Sequence, residues 1–268
     1  MSRIWLNGAI LDAAAARIDP ADRGFTLGDG LFETLRLKAG RPLRFAAHHA
    51  RLAAGAALLR LPLPLDAADL DHAVIDTAAA NGLADAAVRL TLSRGPGPRG
   101  VLPPAAPQPT LLIAAAPYAR PPAACTAVVA TVTRRNEHSP LSRLKTLNYL
   151  DLVLARQEAA ERGADEAILL NTAGRVAEAS IANVFALLDG CAVTPPPEEG
   201  ALPGVLRAAA LAEAAGAERP LTVDDLLRAE AVFLTNSQGI RRVSALDGRP
   251  VGSAEGAAWV ERLAAAFD

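Results

Sequence analysis

A lysine in an arginine-rich chain asks for a chemical reason. The 268 residues include only two lysines, Lys38 and Lys145, every other Lys/Arg position being arginine. The two side chains carry the same charge, but only lysine can become a neutral amine near neutral pH and so act as a nucleophile or form an imine. Lys145 stands in Ser139-Pro140-Leu141-Ser142-Arg143-Leu144-Lys145-Thr146-Leu147-Asn148-Tyr149-Leu150. It follows an apolar residue and opens a pattern that reads as a helix over about 146–162, where a surface lysine is out of place. A solvated lysine at a helix start gives the same local pattern, so other residues must decide.

Two others bear on the question. Tyr149 lies four residues on, one helical turn, so on a helix it would share a face with Lys145. Glu178 is a lone acid among small and apolar residues in Arg175-Val176-Ala177-Glu178-Ala179-Ser180-Ile181-Ala182-Asn183-Val184-Phe185. If buried, its carboxylate needs a cation or hydrogen bonds to offset desolvation. A protonated pyridine nitrogen would serve, and a half-exposed strand carboxylate is the plainer alternative.

Leu144-Lys145-Thr146-Leu147-Asn148-Tyr149, followed by Glu178 and Asn183-Val184-Phe185, resembles the signature of fold-type IV (class IV aminotransferase) pyridoxal-phosphate enzymes. That family includes branched-chain and D-amino acid aminotransferases and 4-amino-4-deoxychorismate lyase. The likeness runs nearly end to end: Asn7-Gly8, Asp22-Arg23-Gly24, Gly28-Asp29-Gly30-Leu31-Phe32-Glu33-Thr34-Leu35-Arg36 and His48-x2-Arg51-Leu52 match family motifs. So do Ala164-Asp165-Glu166-Ala167, Pro203-Gly204-Val205-Leu206-Arg207 and Thr235-Asn236-Ser237, in the family's order.

The resemblance implies roles at matching positions. Lys145 would hold pyridoxal 5'-phosphate covalently and later shuttle protons, and Tyr149 would hydrogen-bond the ring's phenolic oxygen. Glu178 would pair with the ring nitrogen and keep it protonated, so that the ring accepts electrons. Arg51 would grip the phosphate, although its pattern alone suits a helix-surface arginine. The Gly204-Val205-Leu206 turn would offer backbone amides at a helix start, where anions are favoured. Asn236 and Ser237 would complete the phosphate cup. Many relatives carry threonine where Leu206 stands, and proline where Arg242 stands, so the phosphate loop departs in detail. A homodimer is implied, with the active site between two domains, and Phe32 is a candidate pocket wall.

The substrate-side clue is Leu92-Ser93-Arg94-Gly95-Pro96-Gly97-Pro98-Arg99-Gly100, which is similar to a loop of aminodeoxychorismate lyases. Arg99 would bind a substrate carboxylate bidentately; a flexible turn with solvated arginines is the alternative. Val101 departs both from the aromatic residue common after Arg-Gly in the lyases and from the histidine of D-amino acid aminotransferases. The expected activity is conversion of 4-amino-4-deoxychorismate to 4-aminobenzoate and pyruvate, towards folate. An aminotransferase acting on D-amino acids, branched-chain amino acids or amines is the alternative. A third possibility is a chain that keeps the fold and has lost catalysis; joint retention of Lys145, Tyr149, Glu178 and Arg51 argues against it. His48, His49 and His138 read as packing or surface residues.

The elements that must position these residues follow from periodicity and breakers. Ile4 to Leu11 reads as a hairpin about Asn7-Gly8. Leu31 to Leu37 reads as a strand turning at Ala39-Gly40 into a partner at Pro42 to Phe45. Helices are expected over 46–61, stopped by Pro62 and Pro64, and over 65–82, opened by Asp66 as N-cap. Strands are expected at 88–93 and 110–115. Tyr118 to Ala124 reads as a linker between a smaller N-terminal domain (1–117) and a larger C-terminal cofactor domain (125–268). In the latter, strands fall at 126–133, 166–170, 183–188 and 232–235, with helices after Gly204 and over 256–267. The expected fold class is α/β or α+β with two domains.

Composition limits the partners. Alanine accounts for much of the 51% apolar content, and no uninterrupted apolar stretch is long enough to span a bilayer. The start, Met1 to Asn7, lacks a signal-peptide layout. A net charge of −2 with mixed signs offers no basic face for nucleic acid. Cys125 and Cys191 form no CxxC pair and suggest neither a disulfide framework nor a zinc site. A small-molecule substrate in a reducing cytoplasm is expected.

Overall fold

The computed structural model describes residues 2–268, which fall into two compact units: 2–119 with 145–148, and 120–144 with 149–268. The first holds β1 (Arg3–Leu6), β2 (Ala9–Asp12), α1 (Arg23–Leu27), β3 (Gly30–Lys38), β4 (Arg41–Pro42), α2 (Phe45–Leu59), α3 (Ala67–Ala80), β5 (Ala86–Ser93) and β6 (Thr110–Pro117). Its six strands form an antiparallel sheet in the order β2-β1-β6-β5-β3-β4. Alternation sorts the side chains: Leu35, Leu37, Val88, Leu90 and Ile113 are at most 1% exposed on the face that α2 and α3 cover. Phe32, Thr34, Arg36, Arg89 and Thr91 fall on the other face by the same alternation.

The hairpin at Asn7-Gly8 forms as expected, and Asp66 caps α3 by accepting a hydrogen bond from the Asp69 amide. The strand expected at Pro42 to Phe45 does not form. The pairing is cut short instead: after Leu37↔Pro42 the Leu43 amide still donates to the Arg36 carbonyl of β3 at 2.8 Å, and Phe45 already starts α2.

The second unit holds β7 (Ala124–Val129), a 3-10 turn (Pro140–Arg143), α4 (Leu150–Glu161), β8 (Glu166–Leu170), β9 (Val176–Ala179), β10 (Asn183–Leu188) and β11 (Cys191–Thr194). It continues with α5 (Val205–Glu213), β12 (Ala217–Glu218), α6 (Val223–Arg228), β13 (Ala231–Asn236), β14 (Gly239–Leu246), β15 (Arg249–Pro250) and α7 (Ala254–Ala265). Nine strands make a mixed sheet in the order β12-β11-β10-β13-β14-β7-β8-β9, with β15 paired to β14. The sheet is apolar on both faces. Phe185, Leu187 and Phe233 pack with Leu206 of α5 and Val260 of α7, while their neighbours Val184, Ala186, Val232 and Leu234 pack into a second cluster with Leu226 of α6. Burial on both faces is why β10 and β13 read as continuous apolar runs. No helix among the described residues is long and apolar enough to cross a membrane.

Candidate active site

Lys145 is presented by β-type pairing and not by a helix. The Phe32 amide donates to the Lys145 carbonyl at 2.9 Å, the Leu147 amide donates to the Gly30 carbonyl at 3.0 Å, and Leu31 bridges Thr146. This pairing commits the backbone to an extended course, so α4 begins only at Leu150, with Tyr149 as its N-cap residue. The expected helical face shared by Lys145 and Tyr149 is therefore corrected: extended pairing with β3 displaces the first turn of the expected helix. Room for the segment comes from glycine. A Cβ on Gly30 would stand 2.4 Å from the Leu92 carbonyl oxygen and 2.8 Å from Leu147 Cδ1, and one on Gly28 2.7 Å from Asn148 Oδ1. The Gly28-Asp29-Gly30 motif is thus the sequence trace of the lysine segment's docking.

Lys145 Nζ lies 4.2 Å from the centroid of the Phe32 ring, and the guanidinium carbon of Arg89 lies 3.8 Å from the same centroid. Phe32 is 5% exposed, so this ring is a fixed platform for two cations. The ring expected as a pocket wall thus lies beside the amine. Arg89, exposed on β5, was not singled out from the sequence, because one arginine in an alternating strand carries no signal by itself.

Arg51 projects from α2 onto a carboxylate. Its Nε donates to Glu33 Oε1 at 2.8 Å and its NH2 to Glu33 Oε2 at 2.6 Å, while His48 Nδ1 lies 2.8 Å from Glu33 Oε2. Glu33 and His48 are 2% and 3% exposed. Burial opposes ionisation of Glu33, but hydrogen bonds from His48 and Arg51 and their charges outweigh it and hold the carboxyl below its usual range. His48 is therefore a buried, hydrogen-bonded residue that helps to fix Arg51. His49 stacks on Phe45, and His138 is exposed.

Glu178 sits on β9 and is 5% exposed, not half-exposed as the plainer alternative had it. Its Oε1 is 2.9 Å from Arg135 Nε, and its Oε2 accepts the Leu202 amide at 2.9 Å. Arg135 was also missed, since a second arginine in Arg134-Arg135 looks like any solvated loop charge.

At the start of α5 the first helical bond runs from the Ala208 amide to the Gly204 carbonyl, so the Val205 and Leu206 amides lie ahead of the ladder. Leu206 turns its side chain into the core, 4% exposed, and offers only its backbone. A Cβ on Gly204 would meet Asn183 Oδ1 at 2.0 Å, and Asn183 is held by donating to the Leu202 carbonyl at 2.7 Å. Asn236 ends β13 before a tight Ser237-Gln238 turn, its Oδ1 accepting the Gln238 amide at 2.9 Å.

The loop carrying Arg99 is pinned. Arg23 donates to the carbonyls of Gly100 at 2.9 Å and Val101 at 2.8 Å. Arg94 is buried in a structural network, donating to Asp29 and to the Leu59 and Arg60 carbonyls. Arg99 is exposed, as are Val101 and Leu102 at 84% and 82%.

The first unit thus holds an amine on a buried ring, and the second holds a buried acid and the backbone amides of a helix start. The family model of amino-transferase class IV matches residues 30–246. The chain belongs to that family. Its members use pyridoxal phosphate. A putative branched-chain-amino-acid aminotransferase of Methanocaldococcus jannaschii is 34% identical over 261 residues, covering 94% of this chain and 90% of that protein. The structure of a branched-chain amino acid aminotransferase from Escherichia coli superposes with a TM-score of 0.91 at 29% identity, covering 99% of this chain and 92% of that one. A putative 4-amino-4-deoxychorismate lyase from Legionella pneumophila gives 0.85 at 30% identity, covering 96% of each chain. The class IV fold expected from the sequence is thus shown.

Proposed function

We propose that the chain is a pyridoxal-phosphate-dependent aminotransferase that moves an amino group between an amino acid and a keto acid. The observation that carries this reading is Lys145, an amine held on the Phe32 ring by backbone pairing to β3 in a class IV chain. When bound, the cofactor supplies a carbonyl that captures amines and a ring that accepts the electrons of a broken Cα–H bond. Lys145 would anchor it through Nζ, then take the proton from the substrate Cα and return one, which arginine cannot do. Glu178 would hold a proton on the ring nitrogen, and Tyr149 would hydrogen-bond the phenolic oxygen. Arg51, the Val205 and Leu206 amides, Asn236 and Ser237 would bind the phosphate dianion.

Substrate carboxylates would meet cations. Arg89 rests on the ring that supports Lys145, and Arg36 shares its sheet face. This pair supports an acidic amino donor such as glutamate, with 2-oxoglutarate as its keto partner. Exposed Val101 and Leu102 on the Arg23-pinned loop support a homodimer. Two free cysteines suit a cytoplasmic setting.

The lyase reading keeps one specific support: the pinned Ser93 to Gly100 loop with exposed Arg99, together with the Legionella relative. The relatives favour transfer over lysis, reversing the order the sequence suggested. Purified enzyme is to be assayed with L-glutamate, branched-chain and D-amino donors against keto acids, beside 4-amino-4-deoxychorismate. Amino transfer is expected to exceed release of 4-aminobenzoate and pyruvate. Turnover of aminodeoxychorismate without amino transfer would install the lyase instead.

A further inference from the structure

Arg135 has no part in the roles above, yet its guanidinium joins three segments that matter to them. Nε is 2.9 Å from Glu178 Oε1 and 3.3 Å from the Gly200 carbonyl, and NH2 donates to the Ser142 carbonyl at 2.8 Å. Ser142 lies in the 3-10 turn that leads into Lys145. Gly200 stands two residues before Leu202, whose amide holds the other oxygen of Glu178. We propose that Arg135 is a positioning residue of the cofactor site, fixing Glu178 as a carboxylate and tying to it the turn that precedes the lysine. This rests on the pyridoxal-phosphate reading above.

A carboxylate as buried as Glu178, 5% exposed, needs a cation or hydrogen bonds to offset its desolvation. Its assigned task needs the proton on the ring nitrogen and the charge on the acid. Arg135, its side chain 13% exposed, supplies a cation that cannot be lost by deprotonation. A guanidinium would also oppose positive charge on a ring nitrogen, but Coulomb energy falls with distance, so a carboxylate standing between the two would favour the ionic pair. The bonds to Ser142 and Gly200 are separate in kind, because they locate backbone and need donors but not net charge.

The two contributions part experimentally. R135Q, R135K, E178Q and the R135Q/E178Q double variant are titrated with pyridoxal phosphate by absorbance, the visible band is followed against pH, and kcat and KM are measured. R135Q should weaken cofactor affinity about tenfold, lower kcat by about tenfold or more and leave KM for the amino donor nearly unchanged. R135K should recover most of that affinity by restoring the charge. In the E178Q background R135Q should cost little more, because residues acting through one another are not additive. Wild-type affinity and an unchanged band profile in R135Q, an R135K variant as impaired as R135Q, or additive losses would each overturn the proposal while the parent reading stands. Failure of the wild-type enzyme to take up the cofactor would overturn both.

Discussion

Glu33 shows how much of a binding residue's work is done by a neighbour that touches no ligand. A carboxylate 2% exposed is tolerated because Arg51 meets it bidentately and His48 adds a third hydrogen bond. Removing one partner from such a buried pair costs about 3–5 kcal/mol. We expect E33Q to lose about 3 kcal/mol near neutral pH and to bind pyridoxal phosphate more weakly as Arg51 loses its anchor. The carboxyl of Glu33 lies below its ordinary 4.5, because hydrogen bonds and charge from His48 and Arg51 outweigh the opposing burial. Its contribution is therefore complete above pH 4.5 and is lost as pH falls through the lower folded value. Denaturant unfolding of wild type and E33Q should show a gap near neutrality that closes in acid. A gap that persists unchanged under acid would contradict this account.

Elements decide where the lysine points. Residue type singles out Lys145, but the apolar run from 146 onward carries the spacing of a helix opening at the lysine whether or not its first turn forms. What overrides that spacing is a long-range partner, the start of β3, invisible to any local window. The trace was present in Gly28 and Gly30, whose Cβ positions the Lys145–Asn148 segment occupies. A G30A variant forces a Cβ within 2.4 Å of the Leu92 carbonyl. Overpacking of this kind costs about 1–3 kcal/mol, and here the movement also displaces Lys145. Cofactor incorporation in G30A should fall more than stability does, judged by absorbance and thermal melting side by side; loss of stability with full incorporation would contradict it. The second unit's strands were half legible. Val184 to Leu188 and Ala231 to Leu234 are buried on both faces and read as apolar runs, whereas Gly239 to Leu246 carries Arg241, Arg242 and Ser244 and hid β14. Arg135 and Arg89 stayed hidden for a related reason: a single cation gains meaning only from the partner the fold brings to it.

At the scale of the whole chain, the class IV assignment rests on a match over residues 30–246 and on relatives aligned nearly end to end. The chemistry proposed for it depends on one amine. Lys38 serves as an internal control, because it has the same functional group at the exposed end of β3. Incubation with pyridoxal phosphate, borohydride reduction and peptide mass spectrometry tests the claim directly. A phosphopyridoxyl adduct is expected on the peptide containing Lys145, absent in K145R, and none at Lys38. An adduct confined to Lys38, or an unmodified Lys145 in protein saturated with cofactor, would contradict it.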